Sequence, residues 1–267
     1  MSCTESLSPA KPMSRELGPV DHGRLLEALG IEARVLGEVA HAASPDSPVP
    51  TAPGWTLSEL LRHVGSIYRL ALGWMEEGRR PTHWQRGPLP GEPVAGYFDA
   101  GREALLAELA AHDPAARAST WWPADPTYGF WIRRMLHETL IHRFDAERAA
   151  DVEHATVPED LAADGVDEVL TLYFDQKLAT MGLAGTRHGT VGIRTGGHSW
   201  IARAGPDETT AWRCSVEEAA AADELVEAEA SRVYLWLWGR AAPTAVTVTG
   251  GHDLAAQVWA LLRLATR

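Results

Sequence analysis

Residues 131–142, WIRRMLHETLIH, hold the side chains best suited to chemistry. His137 and His142 are five residues apart, so on a helix with about 100° per residue they point about 140° away from each other, and a zincin-type histidine pair is excluded. Glu138 and His142 are four residues apart and project within about 40° of each other on a helix. A carboxylate and an imidazole in this arrangement can bind one metal ion.

His63 offers a third ligand from a different apolar stretch, LLRHVG at residues 60–65. Two histidines and one carboxylate would leave a zinc-like ion with an open coordination position, which is typical of a catalytic site. The alternative is that each histidine is a surface residue or a hydrogen-bonded core residue, and the spacing leaves this open. The other histidines considered lack a partner at ligand spacing: His83, His137, His188, His198 and His252.

Arg134 and Asp145 are placed to act on these ligands. Arg134 lies four residues before Glu138, where it can form a salt bridge or present its guanidinium to a substrate carboxylate beside the metal. Asp145 lies three residues after His142 and can orient the imidazole. A solvated helix end is the alternative for Asp145, and both choices stay open.

Four helices must position these residues. The apolar spacing predicts helices over residues 21–43, from 57 onward, 97–111 and 128–150, and Thr56 with Glu59 forms a capping-box pair just before the second. Helices of this length with connecting loops favour a helical bundle. The loops are long and rich in tryptophan, which makes them candidate walls of a pocket.

The pattern changes from helical spacing to alternation after Gly182. A fifth helix following Pro158 is expected to connect the two parts. The predicted fold class is α+β: an N-terminal four-helix bundle, then a small C-terminal domain with an antiparallel sheet and two helices. The expected divisions are a flexible arm at 1–20, the metal-binding bundle at 21–155, the connecting helix at 156–182 and the C-terminal α/β domain at 183–267. The predicted strands are 190–195, 198–204, 211–215, 225–228 and 245–249, and the two helices are 231–238 and 253–265.

The amino-acid composition disfavours some classes of binding partner. The 267 residues include 24 basic and 36 acidic side chains, for a net charge of −12, so nucleic acids and anionic membranes are disfavoured. Lys11 and Lys177 are the only lysines. Cys3 and Cys214 are far apart, and no signal peptide or membrane span is evident, which favours a cytoplasmic protein. Tryptophan is in excess, with 11 residues against 4 phenylalanines and 5 tyrosines.

Two segments, GWTLSELLRHVG at 54–65 and MLHETLIHRFDA at 135–146, resemble the mycothiol-dependent maleylpyruvate isomerase family of actinobacteria. DGVDE at 164–168 and LWLWGR at 235–240 extend the resemblance over roughly residues 20–265. It implies a DinB-like four-helix bundle whose metal triad falls on His63, Glu138 and His142, the residues that spacing also indicated. The family's functional arginine falls on Arg240, for which a role in ending a helix is the alternative. Arg232 departs from the acidic residue that relatives often have there.

The resemblance implies a metal-dependent enzyme, with zinc as the expected ion, that uses the small thiol mycothiol as a nucleophile or co-substrate. Its partners would be that thiol and an electrophilic small molecule, and Arg240 and Arg134 are the candidate catalytic residues. The activity would be isomerisation or S-transfer. The alternatives are thiol exchange on a thiosugar or other conjugate in lincosamide-type antibiotic biosynthesis, or a non-catalytic module that binds a thiol or other ligand. The sequence does not predict an oligomeric state.

Overall fold

The computed structural model describes residues 20–266. The arm predicted at 1–20 lies outside the described residues except for its last position. Within them the fold is α+β, with a helical N-terminal part followed by a C-terminal sheet and its helices. The four predicted bundle helices are present as α1 (His22–Ala42), α2 (Leu57–Glu77), α3 (Val94–Ala110) and α4 (Tyr128–Ala149).

Both hydrogen bonds of the capping box predicted for α2 are formed. The Thr56 side chain accepts from the backbone N–H of Glu59, and the Glu59 carboxylate accepts from the backbone N–H of Thr56. Two N–H groups that would lack helical partners are satisfied in this way. This cap fixes where α2 begins, six residues before His63, and therefore which turn of the helix carries that histidine.

Helix α4 is the central helix of the molecule. Of its 22 residues, 18 are buried, and the buried set includes charged side chains. It packs against α1 and α2 within the bundle. Because an unpaired charge is costly to bury, each buried charged residue of α4 needs a partner, either on the same helix or on a neighbouring element.

The predicted fifth helix follows Pro158 as α5 (Glu159–Glu168) and continues without a break as a π-helix (Val169–Lys177) and α6 (Leu178–Met181). It ends at Gly182, which is left-handed at φ 65°. The sequence does not predict the π-helix, because apolar spacing does not distinguish it from an α-helix. Such helices are rare and are often found at functional sites.

The C-terminal sheet has the order β3-β2-β1-β4-β5. Its strands are β1 (Gly189–Thr195), β2 (His198–Ala204), β3 (Thr209–Arg213), β4 (Glu224–Glu227) and β5 (Thr247–Gly250). The predicted hairpin turn at Gly196 and Gly197 is confirmed, with φ angles of 51° and 79° that suit a primed turn.

The prediction of an antiparallel sheet is wrong for one pair, because β1 and β4 run parallel. Alternating residues identify a strand and its faces, but the direction of pairing depends on the path of the chain, which here crosses over through β2 and β3. A further helix, α7 (Val216–Ala220), is also absent from the prediction, which extends a strand to Ser215, whereas this serine caps the helix. The two predicted helices are present as α8 (Ala230–Leu237) and α9 (Asp253–Ala265).

A buried ionic cluster joins the bundle to the sheet. Asp167 of α5 accepts hydrogen bonds from Arg133 of α4 at 2.9 Å and from Trp200 Nε1 of β2 at 2.8 Å. It also accepts from Arg213 Nε of β3 at 2.6 Å. Three elements are thus fixed to one carboxylate. Across residues 20–266, no helix combines the length and apolar character needed to cross a membrane.

Candidate metal centre

Three side chains from α2 and α4 converge on one point. Glu138 Oε1 lies 3.2 Å from His63 Nε2 and 3.4 Å from His142 Nε2. The three possible ligand atoms all lie within 4.8 Å of one another. They form the one group of this kind found among the described residues. The structure therefore brings together the three residues that the sequence nominated as ligands.

Two of the three separations match those around a tetrahedral metal ion. With bonds of about 2.0–2.1 Å, two ligand atoms on a tetrahedral zinc ion lie about 3.3–3.4 Å apart. The two distances to Glu138 Oε1, 3.2 and 3.4 Å, have this size. Three protein ligands would leave one position open to another molecule. The donor set, two imidazoles and a carboxylate, is one that zinc accepts readily.

His142 is oriented by a carboxylate on its other side. Asp145 Oδ2 lies 3.0 Å from His142 Nδ1, and a proton on that nitrogen leaves the Nε2 lone pair facing Glu138 and His63. Asp145 is fully buried, so the alternative of a solvated helix end does not apply to it.

Asp145 is in turn held by residues from two distant segments. Arg240 donates from Nε to Oδ1 at 3.0 Å and from Nη2 to Oδ2 at 2.8 Å. The Thr51 hydroxyl donates to Oδ1 at 2.6 Å. Arg240 also donates to the Trp238 carbonyl at 2.9 Å, so it fulfils the helix-ending role as well. The C-terminal part and the loop before α2 thus both reach the metal centre through one aspartate.

Arg134 forms the expected salt bridge. Its Nη2 donates to Glu138 Oε2 at 3.1 Å, and its Nη1 donates to Glu168 of α5. The guanidinium is buried and is shared by two carboxylates. Burial alone would raise the pKa of Glu138, but with His142 protonated on both nitrogens, as without a metal ion, hydrogen bonds from His142 and His63 and the charges of His142 and Arg134 lower this pKa well below its ordinary value. Glu138 is therefore held as a carboxylate, the form that binds a metal.

The pKa of His142 reflects the same network without a metal ion. Burial would lower this pKa, whereas hydrogen bonds to Asp145 and Glu138 and their charges raise it to about 9. Two carboxylates around an imidazole thus create a place for one positive charge. A proton or a divalent cation can supply that charge, and the two must compete.

The centre is open to solvent on the α2 side. The side chain of His63 is 30% exposed, against 15% for Glu138 and 11% for His142. The Trp55 ring lies 5.0 Å from the His63 ring, centroid to centroid. A small molecule can therefore approach the ligands from this side, past Trp55.

The tryptophans fall into two groups, those in the hydrophobic core and those beside the candidate metal centre. Trp131 and Trp200 are fully buried core residues. Trp55 contacts His63, while Trp121 and Trp238 pack against Tyr173 beside Arg134. Two recesses of about 410 and 420 Å³ lie in the C-terminal part, away from the metal ligands. A cavity between the two parts at the metal centre therefore stays a prediction.

Thr51 and Glu168 are the site residues that sequence reasoning missed. Neither has a helical spacing to the ligands, since each comes from a segment that meets α4 only through the tertiary fold. Glu168 enters the sequence argument only as part of the DGVDE motif, and nothing in its neighbourhood signals its contact with Arg134.

Comparison with known proteins finds a family match over the helical part of the chain. Residues 26–147 match the family model of the mycothiol maleylpyruvate isomerase N-terminal domain, and this range contains all three candidate ligands. No curated protein sequence matches the chain. The match confirms, over the helical part, the resemblance that the motifs indicated.

Two solved structures are similar in fold: the crystal structure of the mycothiol-dependent maleylpyruvate isomerase and that of a histidine-to-alanine mutant of it. Each has a TM-score of 0.58 and 12% sequence identity, covering 86% of this chain and 93% of the other. At this identity the likeness shows a shared fold that extends over both parts of the molecule.

Proposed function

Because residues 26–147 carry the mycothiol maleylpyruvate isomerase N-terminal domain, we propose that the protein is a metal-dependent enzyme that uses mycothiol. Its proposed reaction is the cis–trans isomerisation of an activated alkene of the maleylpyruvate type. The observation that carries the proposal is the convergence of His63, Glu138 and His142 within 4.8 Å inside this domain. We further propose that the ion is zinc and that the enzyme works in the cytoplasm, where a small thiol stays reduced.

A divalent ion at these ligands would supply an open coordination position where a thiol loses its proton at neutral pH. The proton of the thiol would pass to solvent, and the thiolate sulfur would add to one alkene carbon while the electron pair moves onto the conjugated carbonyl. Rotation about the resulting single bond, return of the electron pair and loss of the thiolate would give the trans product. The thiolate would be regenerated, so that no reactant other than the alkene is consumed.

The protein's own residues position and polarise this site. Asp145 holds a proton at His142 Nδ1, so that Nε2 is free to bind the metal. Burial alone would raise the pKa of Asp145, but hydrogen bonds from His142 and Arg240 hold it well below its ordinary value. Arg240 thus keeps Asp145 ionised and aligned by two hydrogen bonds. We propose that Arg240 and Arg134 serve the reaction in this way, by fixing the carboxylates Asp145 and Glu138.

The experiment is an assay of the zinc-loaded protein with mycothiol and maleylpyruvate. We expect the trans isomer, separated by chromatography and identified by NMR, since both isomers have one mass. Omitting mycothiol or removing zinc with a chelator should each abolish turnover. The matched variants are His142→Ala, which removes a ligand, and His137→Ala, which removes a histidine of the same helix outside the centre.

The alternative activities are distinguished in the same experiment. If a thiosugar conjugate exchanges its thiol for mycothiol while maleylpyruvate is untouched, mass spectrometry shows a new conjugate, and S-transfer replaces isomerisation. If mycothiol binds and is recovered unchanged with every electrophile, the protein is a binding module. Turnover that is unaffected by His142→Ala would contradict a metal-dependent mechanism altogether.

A further inference from the structure

Lys177 is a cation beside the metal centre that the proposed chemistry does not use. It is the last residue of the π-helix and one of only two lysines in the sequence. Its side chain is half-buried. The element that carries it is of a rare kind that is often found at functional sites.

The Tyr173 ring connects Lys177 to the metal centre. Lys177 Nζ lies 5.0 Å from the centroid of this ring, and the guanidinium carbon of Arg134 lies 5.3 Å from the same centroid. Arg134 donates to the candidate ligand Glu138 at 3.1 Å. Lys177 is thus separated from the metal ligands by one aromatic ring and one guanidinium.

Among the residues that the structure describes, Lys177 differs from the other cations of this region in having no carboxylate partner. Arg133, Arg134 and Arg240 each form ion pairs with buried carboxylates. Within residues 20–266, the Lys177 ammonium contacts the Tyr173 ring but forms no ion pair. A half-buried ammonium has given up part of its hydration without gaining an anion in return.

The surroundings of Tyr173 are aromatic. The Trp121 and Trp238 rings pack against it edge to face, at 6.2 and 5.2 Å between centroids. Apolar walls keep water away from a charge, and this strengthens its attraction to an anion. Burial and the charge of Arg134 lower the pKa of Lys177, while Glu138 opposes them; an anion bound at Nζ would favour the charged ammonium.

We propose that Lys177 and the Tyr173 ring form an anion subsite next to the metal centre, which binds a carboxylate of the electrophilic substrate. The inference rests on the proposed function, because it assigns one end of the substrate to this subsite and leaves the reacting carbons for the metal centre. A single ammonium with three donors suits one carboxylate group.

The test is a calorimetric titration of the zinc-loaded protein, without thiol, with two probes of similar shape. Maleate is a cis dicarboxylate, and maleamide is its uncharged diamide. The variants are Lys177→Gln, Lys177→Arg and the control Arg203→Gln. Arg203 also lies over an aromatic ring, at 4.8 Å from Trp212, but on the exposed face of the sheet.

We expect Lys177→Gln to weaken maleate binding about tenfold to a hundredfold, the range typical of a hydrogen bond to a charged group. Lys177→Arg should retain most of the affinity, and Arg203→Gln all of it. Maleamide should bind every variant alike. Direct binding of maleate to zinc is common to all variants, so only the difference between them reports on Lys177.

Equal maleate affinity in wild type and Lys177→Gln would overturn the anion subsite, as would a wild type that binds no maleate. An equal loss of both probes would show a structural role instead, and unchanged zinc content and circular dichroism would confirm that the variant folds. The proposed function fails separately, if the wild type does not turn over with mycothiol. Because the titration contains no thiol, the test of the anion subsite does not depend on the result of the turnover assay with mycothiol.

Discussion

Two histidines of helix α4 are each paired with an aspartate, on α4 itself for His142 and on α5 for His137, and the two pairs differ in their surroundings. His142 pairs with Asp145 at 3.0 Å, and His137 pairs with Asp164 at 2.7 Å. The second nitrogen of His137 lies 3.3 Å from the hydroxyl of Tyr234, and the whole pair is inaccessible to solvent. The second nitrogen of His142 instead faces Glu138 and His63, in a group that is partly exposed.

The difference teaches what makes a histidine available to a metal. An aspartate on one nitrogen is common to both pairs, so the carboxylate alone does not distinguish a ligand from a structural residue. What distinguishes them is the other nitrogen, which in His137 is occupied by the protein's own hydroxyl. The metal centre and the interface cluster, which consists of Arg133, His137, Asp164 and Asp167, should therefore respond differently to mutation.

The largest expected effect is a difference in zinc affinity between variants of His142 and of His137. His142→Ala should weaken zinc binding by about two to three orders of magnitude, because a four-ligand zinc site releases about 10–16 kcal/mol and one ligand carries a share of it. His137→Ala should leave zinc affinity within about threefold but destabilise the fold. Zinc affinity is measured by competition with a chromogenic chelator. An equal loss of zinc affinity in both variants would show that His142 and His137 do not differ in metal binding.

Asp167→Asn tests the interface cluster. This substitution removes the negative charge that Arg133 and Arg213 share. Breaking such a buried network costs about 3–5 kcal/mol. The free energy of unfolding, from urea denaturation, should fall by this amount while zinc affinity is unchanged. Asp207→Asn on the exposed surface is the control, with an expected change within about 0.5 kcal/mol.

The pH dependence of the metal-free protein should report on His142. Its folded pKa of about 9 lies above the ordinary 6.5, so its contribution to stability is complete below about pH 6.5 and is lost as pH rises through about 9. The loss is on the order of 3 kcal/mol. It is measured as the difference in unfolding free energy between wild type and His142→Gln, both in chelator.

With zinc bound, this pH-dependent loss should disappear, because the metal replaces the proton as the positive charge. If the difference between wild type and His142→Gln stays constant from about pH 6 to about pH 9 in chelator, His142 does not carry the positive charge between the two carboxylates.

Arg240→Gln should weaken zinc binding about tenfold to a hundredfold, the usual effect of removing a residue that supports a metal ligand. It acts through Asp145, which loses two charge-assisted hydrogen bonds and with them its alignment on His142. Lysine at this position cannot form both hydrogen bonds in the same plane, so Arg240→Lys should restore only part of the affinity. Full affinity in Arg240→Gln would assign the arginine to helix capping alone.

The smallest effect is expected at Thr51, which supports the same aspartate with one neutral hydroxyl. Thr51→Val preserves the shape and removes the hydrogen bond of 2.6 Å to Asp145. We expect zinc affinity to fall severalfold, corresponding to about 1 kcal/mol. Thr186→Val, at a threonine remote from α4 that bonds Gln257, is the matched control.

Local features of the sequence were sufficient for the four bundle helices and for the candidate ligand set, but not for the π-helix or α7. The Thr56 cap fixes the start of α2, and the four-residue spacing of Glu138 and His142 places both on one face of α4. These are short-range consequences of helical geometry, which the sequence expresses directly. Strands were also found by alternation, although β4 was expected to pair antiparallel and pairs parallel with β1.

The tertiary structure decided which charges meet. His63 and Glu138 are 75 residues apart, and Arg240 and Asp145 are 95 apart, so no local spacing relates them. The difference between a candidate ligand and a structural histidine on α4 likewise depends on what faces the second nitrogen, the Tyr234 hydroxyl for His137 or Glu138 and His63 for His142. The sequence by itself determined the four bundle helices and the potential metal ligands that α2 and α4 carry. Packing decided the partners, because the burial of a charge is settled only when distant segments enclose it.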